Sequence, residues 1–233
     1  MRVVVGLFLF VGVTALGAAP ESPATTGFYP LWEGSGYVER AGAFRLGTTG
    51  THVGVAGVAH VGVSPLPFMH RTPNLYSKLV LSDRPTLGIS LQVSAYAMLN
   101  GAARGLFSPM YSTRLDNPDF RVWVVPVTAS ATHRIAPWLD LHQSLTLMGV
   151  TSGGPIRSEI TPGYSLVAEL HASSSSSLLL HAAQVGLWDH RFGLAGASVR
   201  YQGDWLELRA GYFYRMFVEG AQSGPLVGIG VLL

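Results

Sequence analysis

The chain has no cysteine, few charged residues and no long apolar run after its first 20 residues. Without cysteine it cannot be a disulfide-bonded secreted scaffold or carry a lipid on an N-terminal cysteine. Charged residues make up only 12% of the sequence, about half the fraction usual in soluble domains. No segment after residue 20 approaches the roughly 18 apolar residues of a membrane-spanning helix. A closed β-barrel is the other structure that pairs every backbone group in lipid.

The positive charges give no sign of a nucleic-acid partner. The net charge is only +2, and the Lys and Arg residues are scattered rather than clustered. No repeat of fixed period is present beyond the alternation of strands and turns. We expect neither a nucleic-acid partner nor a cofactor.

The N-terminus has the features of a secretory signal peptide. Arg2 supplies a positive start, residues 3–16 are apolar, and three small residues at 17–19 precede Pro20. These features predict a signal peptide over 1–19 and a mature chain of 20–233. An uncleaved membrane anchor is the alternative, because the apolar stretch is almost long enough to span a bilayer.

Residues 86–99 predict an unusually long strand. One alternate set, from Leu87 to Leu99, is wholly apolar, while the other consists of small and mostly polar residues such as Ser90 and Gln92. Side chains alternate between the two faces of a strand, so this strand has one apolar and one polar face. Its length of about 45 Å exceeds that of most soluble strands. Outer-membrane strands show this alternation, with apolar residues outside and polar residues inside.

The same pattern recurs along the chain and predicts eleven strands. They lie near 37–48, 51–63, 74–82, 86–99, 120–134, 138–150, 163–173, 176–187, 191–201, 204–217 and 225–233. Short turns, including 48–50, 83–85 and 135–137, alternate with longer connections such as 64–73 and 100–119, as in membrane barrels. Bacterial single-chain barrels have an even number of strands. We therefore place a twelfth within 24–33, with ten strands as the alternative.

The C-terminus resembles the last strand of bacterial outer-membrane barrels. Val227, Ile229, Val231 and Leu233 share one face of it, although the family pattern has a terminal aromatic residue where Leu233 stands. Aromatic residues near strand ends are typical of the belts at the two membrane interfaces: Trp123, Trp138, Trp188, Tyr201, Trp205, Tyr212 and Tyr214. The resemblance implies an outer-membrane location, contact with outer-membrane lipid, and insertion by the barrel assembly machinery.

Charged and histidine side chains fall mainly on the faces opposite the apolar sets. They form a predicted lumenal polar cluster: Asp140, His142, Glu169, His171, His181, Arg200, Glu207, Arg209 and Arg215. His142, His171 and His181 are expected at similar depth on three successive strands. Such a group could bind a transition metal. A hydrogen-bond network that fills the lumen is the interpretation we prefer, because buried ionisable groups in a barrel must pair in any case, and we assign no metal.

Two further features of the inner face, a pair of histidines and an abundance of small residues, lead to predictions about the lumen. His52 and His60 share a face of the predicted strand 51–63, which would hold them about 26 Å apart and prevent them from binding one ligand together. Elsewhere the inner face is rich in glycine and serine, whereas wide channels are lined by charge. Small inner residues predict a narrow lumen or an inserted N-terminal segment, and residues 24–36 are the candidate for such a plug or for the first strand.

An enzyme is the second class of function. His142-Gln143-Ser144 is similar to the His-x-Ser pair of outer-membrane phospholipases and lipid A deacylases, in which an imidazole activates a serine hydroxyl. The sequence continues with Leu145-Thr146 where that family has Asn-Gly. In addition, the apolar residues of this strand are expected to face lipid, whereas the catalytic pair of that family faces lipid itself. We keep His142 and Ser144 as a lower-ranked catalytic pair.

A soluble exported β-barrel binding protein is the third class, against which the strand lengths argue. The sequence favours a porin-like outer-membrane barrel that is a small channel or transporter for a small solute, or a structural membrane component without catalytic role.

Overall fold

The computed structural model describes residues 35–39, 41–48, 50–69, 72–98, 122–152, 158–187, 190–217 and 220–233. They form a closed barrel in which each of twelve strands pairs antiparallel with its neighbours. The strands are β1 (Phe44–Gly47), β2 (Thr51–Val55), β3 (Ala59–Val63), β4 (Asn74–Arg84), β5 (Leu87–Met98), β6 (Val122–Ala136), β7 (Leu139–Ser152), β8 (Glu159–His171), β9 (Ser176–Leu187), β10 (His190–Gln202), β11 (Leu206–Phe217) and β12 (Gly220–Leu232). The predicted fold class is confirmed.

One short helix, α1 (Pro65–Met69), lies between β3 and β4. Within the ranges given above, no helix is long and apolar enough to cross a membrane.

The twelve strands are divided along the chain differently from the prediction. The predicted strand 51–63 is two strands, β2 and β3, which pair with each other across a turn at 56–58. Ala56 and Gly57 have positive φ angles of 52° and 69° there. The predicted strand 37–48 contributes only the four residues of β1. The proposed twelfth strand at 24–33 lies outside the described residues.

The extra turn reverses the direction of β1. We call the end of the barrel that carries the turns 85–86, 137–138, 172–175 and 203–205 the turn end, and the opposite end the loop end. Arg45 pairs with Leu232 and Val55 with Ala59, so β1 begins, and the turn 56–58 lies, at the turn end. The turn 48–50 therefore lies at the loop end, beside the connection 64–73. The prediction that this turn lies at the same end of the barrel as the other short turns is wrong.

The two faces of the wall follow the predicted alternation. In β5, Ser90, Ser94 and Tyr96 are buried inside, while Val93 and Ala95 are exposed outside. The strands β7, β8 and β9 behave in the same way. Large apolar side chains that are more than half exposed cover the outside: Leu46, Leu75, Leu81, Ile135, Leu145, Leu147, Ile160, Val199, Val227 and Ile229. This reversal of the usual burial is expected where lipid surrounds the barrel.

Residues 35–39, which we call the lumen segment, lie inside the barrel. Ser35, Tyr37 and Glu39 are all buried. The segment passes very close to β5, because a Cβ added to Gly36 would collide with the backbone of Gly88. A Cβ added to Gly88 would in turn meet the Tyr37 ring at 2.7 Å. The two glycines thus allow the chain to lie against the inner wall.

Candidate functional site: the lumen

The first half of the lumen segment is held by β4, β5 and β6. The backbone N–H of Gly36 donates to the Thr132 hydroxyl at 2.7 Å, and the Ser90 hydroxyl donates to the Ser35 carbonyl oxygen at 3.1 Å. The Tyr37 hydroxyl donates to the Arg84 carbonyl oxygen at 3.3 Å. These bonds join residues as far as 96 positions apart, so they depend on the tertiary fold and not on local sequence.

The far end of the lumen segment is held by β1 and β2. The Glu39 carboxylate accepts from Arg45 Nε at 3.1 Å and from His52 Nε2 at 3.3 Å. Burial raises the pKa of Glu39. The hydrogen bond from His52 and the charge of Arg45 lower it by a larger amount, so the pKa of Glu39 lies below its ordinary value. Glu39 therefore remains charged and bridges the segment to the wall. Arg45 also pairs with Glu207 of β11.

His52 lies in a group of side-chain rings that includes His60, although the sequence pattern predicts that these two histidines lie far apart. Its ring stacks on that of His60 with centroids 4.4 Å apart. The Tyr76 hydroxyl donates to His52 Nδ1 at 2.8 Å. The expected separation of about 26 Å between the two histidines is wrong, because β2 and β3 form a hairpin that brings their side chains to adjacent positions. With Arg45 and Lys78, these histidines form what we call the basic wall: Arg45, His52, His60 and Lys78.

A second group of charged side chains covers the opposite wall near the turn end. We call it the ionic network: Arg134, Asp140, His142, Glu169, His171 and Arg200. Arg134 donates both Nε and Nη2 to Asp140 at 3.0 Å, and His171 Nε2 lies 3.1 Å from Asp140 Oδ2. Glu169 accepts from His142 at 3.0 Å and pairs with Arg200. Asp140 and Glu169 are at most 1% exposed, so each buried carboxylate has the partners that burial requires.

The ionic network is connected to the lumen segment by a chain of hydrogen bonds. His142 Nε2 lies 3.0 Å from the Glu169 carboxylate, and its Nδ1 lies 2.8 Å from the Thr132 hydroxyl. Thr132 in turn accepts from the N–H of Gly36. Movement of the segment therefore changes the hydrogen bonding of the network.

The remaining predicted cluster residues are divided between two places. His181 lies 3.0 Å from the Ser198 hydroxyl and 2.9 Å from Arg209 Nη2, beside Phe213. Glu207 pairs with Arg45. The side chain of Arg215 lies outside the described residues, as does that of Trp188. Of the nine predicted residues, five belong to the ionic network: Asp140, His142, Glu169, His171 and Arg200.

The three histidines of the predicted cluster do not share one depth. His142 and His181 both lie opposite Val167, whereas His171 is four residues nearer the turn end of β8. In the part of the chain that the structure describes, no group of three or more His, Cys, Asp or Glu residues could hold a metal ion.

His142 and Ser144 share the inner face but are not hydrogen-bonded to each other. Both nitrogens of His142 are engaged, by Thr132 and by Glu169. The Ser144 hydroxyl bonds with that of Ser130 at 3.3 Å. Both residues point away from lipid and are buried. The geometry gives no support to a serine hydrolase built on this pair.

Sequence reasoning did not single out the basic wall, Glu39 or Arg134. Alternation contained part of the signal: Tyr76 and Lys78 oppose Leu75 and Leu79, and Arg134 continues the polar set of β6. The sequence around Ala56 contains no strong turn signal. The position of His60 beside His52 could therefore not be predicted from the alternation of residues.

The comparisons concern bacterial outer-membrane proteins. No family model and no curated protein sequence matches the chain. The trimer form of in-vitro folded OmpT of Vibrio cholerae is 8% identical over 81% of this chain and 63% of its own, with a TM-score of 0.48. OmpT expressed in the outer membrane of that organism is 11% identical over 78% and 63%, also at 0.48. An anion-selective porin from Comamonas acidovorans is 11% identical over 78% and 56%, at 0.44. This chain spans less than two thirds of the length of these structures.

Proposed function

We propose that the chain is a bacterial outer-membrane barrel that passes a small solute and that the lumen segment closes its lumen. The observation that carries the proposal is the path of residues 35–39, which cross inside a closed barrel from β5 and β6 to β1 and β2. Their backbone and side chains are bonded at both ends to the wall. A conducting path through this part of the lumen requires the segment to move.

The outer surface supports the membrane location. Six of the aromatic residues predicted for the belts are exposed outside: Trp123, Trp138, Tyr201, Trp205, Tyr212 and Tyr214. Trp138 and Trp205 lie at the turn end and Trp123 at the loop end, with exposed leucines and valines between them. Outer-membrane lipid and the assembly machinery are the partners that such a surface implies. The signal peptide at 1–19, which lies outside the described residues, remains a prediction.

Insertion is tested by extraction and by electrophoresis. A closed sheet with every backbone group paired resists SDS, so the folded protein is expected to change mobility on boiling and to require detergent for extraction. Release of native protein by carbonate alone would instead favour the soluble binding protein.

Closure by the lumen segment is tested in planar bilayers. Gly36→Val places a side chain against the Gly88 carbonyl and expels the segment. We therefore expect it to conduct more than the wild-type protein, which the segment is expected to keep closed. Val38→Ala, a half-buried position on the same segment, is the matched control and stays silent. Heat-shifted mobility establishes that each variant is folded.

A structural membrane component is the second candidate. It is favoured by the dense packing around Ser90, Thr132 and Glu169, whose exposed fractions are zero. A folded Gly36→Val protein as silent as the wild type would overturn the channel in favour of this role.

A further inference from the structure

We propose that the basic wall binds small carboxylate anions and that Glu39 occupies, in this structure, the place that such an anion takes. This inference rests on the proposed function and names its class of solute: when the lumen segment moves, the barrel selects anions.

The first support is the way in which Glu39 is bound. Its carboxylate is held by one guanidinium and one imidazole, the charge-assisted bonds by which proteins recognise carboxylates. It is carried by the lumen segment and not by the barrel wall, whereas Asp140 and Glu169 belong to strands. A carboxylate from outside therefore replaces Glu39 without any change in the wall.

The second support is a pair of basic side chains beside Glu39 that have no anionic partner of their own among the described residues. Lys78 is the only lysine of the chain and is 3% exposed. Among the described residues it has no hydrogen bond or ion pair, and Glu39 is its electrostatic neighbour. Directly opposite Lys78 in the sheet lies His60, whose Nδ1 is buried and unbonded. The described charged neighbours of His60 are Lys78, His52 and Arg45, with no carboxylate among them.

The two inner walls differ in their charge balance. In the ionic network two arginines face two carboxylates, both on strands. The basic wall has Arg45 and Lys78, with two histidines, against Glu39 and Glu207. When Glu39 departs, Glu207 is the described carboxylate that remains beside Arg45. Among the described residues of this wall, the basic side chains that Glu39 would leave behind lie on β1 to β4, where an anion gains from Coulomb attraction at low dielectric.

Binding is measured with ¹³C-formate, by the broadening of its NMR line in detergent-solubilised protein. Glu39→Gln keeps the shape of the segment but removes the competing charge, and is expected to bind formate about tenfold more tightly than the wild type. Glu39→Gln with Lys78→Met loses this gain, and Glu39→Gln with Lys78→Arg retains it. Val38→Ala binds as the wild type does.

Two results overturn the inference: no formate binding by folded Glu39→Gln protein, or equal binding with Lys78 and with Met at position 78. If Lys78→Met fails to fold, the pair Glu39→Gln and wild type still decides. Chloride replaces formate in a parallel titration, and competition between the two distinguishes a general anion site from one that prefers carboxylates.

Reversal potentials in a KCl gradient separate this inference from the proposed function. The opened Gly36→Val channel is expected to favour chloride over potassium several-fold, and Lys78→Met to reduce that preference. A conducting but cation-selective channel contradicts the inference while the proposed function stands. Silence of every folded variant contradicts the proposed function, and the formate titration then decides the anion site alone.

Discussion

His52 and His60 stack inside the barrel with ring centroids 4.4 Å apart, because the chain reverses between them. The reversal occurs at Ala56 and Gly57, both in the left-handed region. A continuous strand would have directed the two rings to distant depths. This hairpin creates the basic wall, and it places the start of β1 at the turn end, from which the lumen segment reaches into the barrel.

The turn predicts opposite effects of two substitutions. Gly57→Val forces a β-branched residue into the left-handed region and is expected to lower the free energy of unfolding by about 1–2 kcal/mol. Ala56→Gly relieves the same strain and is expected to leave stability unchanged or raise it by up to about 1 kcal/mol. Urea unfolding in micelles measures both. A destabilising Ala56→Gly with a neutral Gly57→Val would contradict the turn geometry.

The cost of placing an arginine on the outer face is expected to depend on its depth in the bilayer. Leu145 lies at the middle of β7 and is 55% exposed, whereas Ile135 lies at the turn end of β6 and is 61% exposed. Leu145→Arg is expected to cost roughly 2–4 kcal/mol in a bilayer, and Ile135→Arg at most about 1 kcal/mol. Folded yield in lipid vesicles is the measurement. Similar yields for the two variants would mean that these side chains do not face lipid at different depths.

The ionic network predicts strong coupling between Glu169 and Arg200. Glu169→Leu leaves a buried guanidinium unpaired and is expected to cost about 3–5 kcal/mol of unfolding free energy, most of which returns when Arg200→Leu is added. Glu159→Gln, at the loop end of β8, is the control and is expected to stay within about 0.5 kcal/mol. Additive effects of the two leucine substitutions, in a double-mutant cycle, would count against the pair.

The His142–Ser144 pair predicts unequal costs. Ser144→Ala removes one bond to Ser130 and is expected to cost about 1 kcal/mol or less. His142→Ala leaves Glu169 and Thr132 each short of a partner and is expected to cost about 1–3 kcal/mol. Phospholipid hydrolysis is assayed on the same samples. Fatty-acid release by the wild type that disappears in Ser144→Ala would replace the channel by the lipid hydrolase.

Much of the inner face was predictable because alternation is local. Asp140, His142 and Glu169 were placed inside by their apolar neighbours, and the structure brings them together. The partners Arg134 and Arg200 complete the network only through pairing between β6, β7, β8 and β10. The three histidines of the predicted cluster were expected at one depth. Strand register depends on loop lengths and on strand pairing, and the register of the folded barrel places His171 nearer the turn end.

The alternation in the amino-acid sequence is enough to predict a wall built of strands, with an apolar outside and a polar inside. These follow from the two-residue repeat of an extended chain and from the need to pair every backbone group where no water is available. Only the folded barrel reveals that residues 51–63 form a hairpin, that His52 stacks on His60, and that Glu39 lies among Arg45, His52 and Lys78. Such contacts depend on barrel closure and register, which join residues far apart in sequence, and no local pattern encodes them.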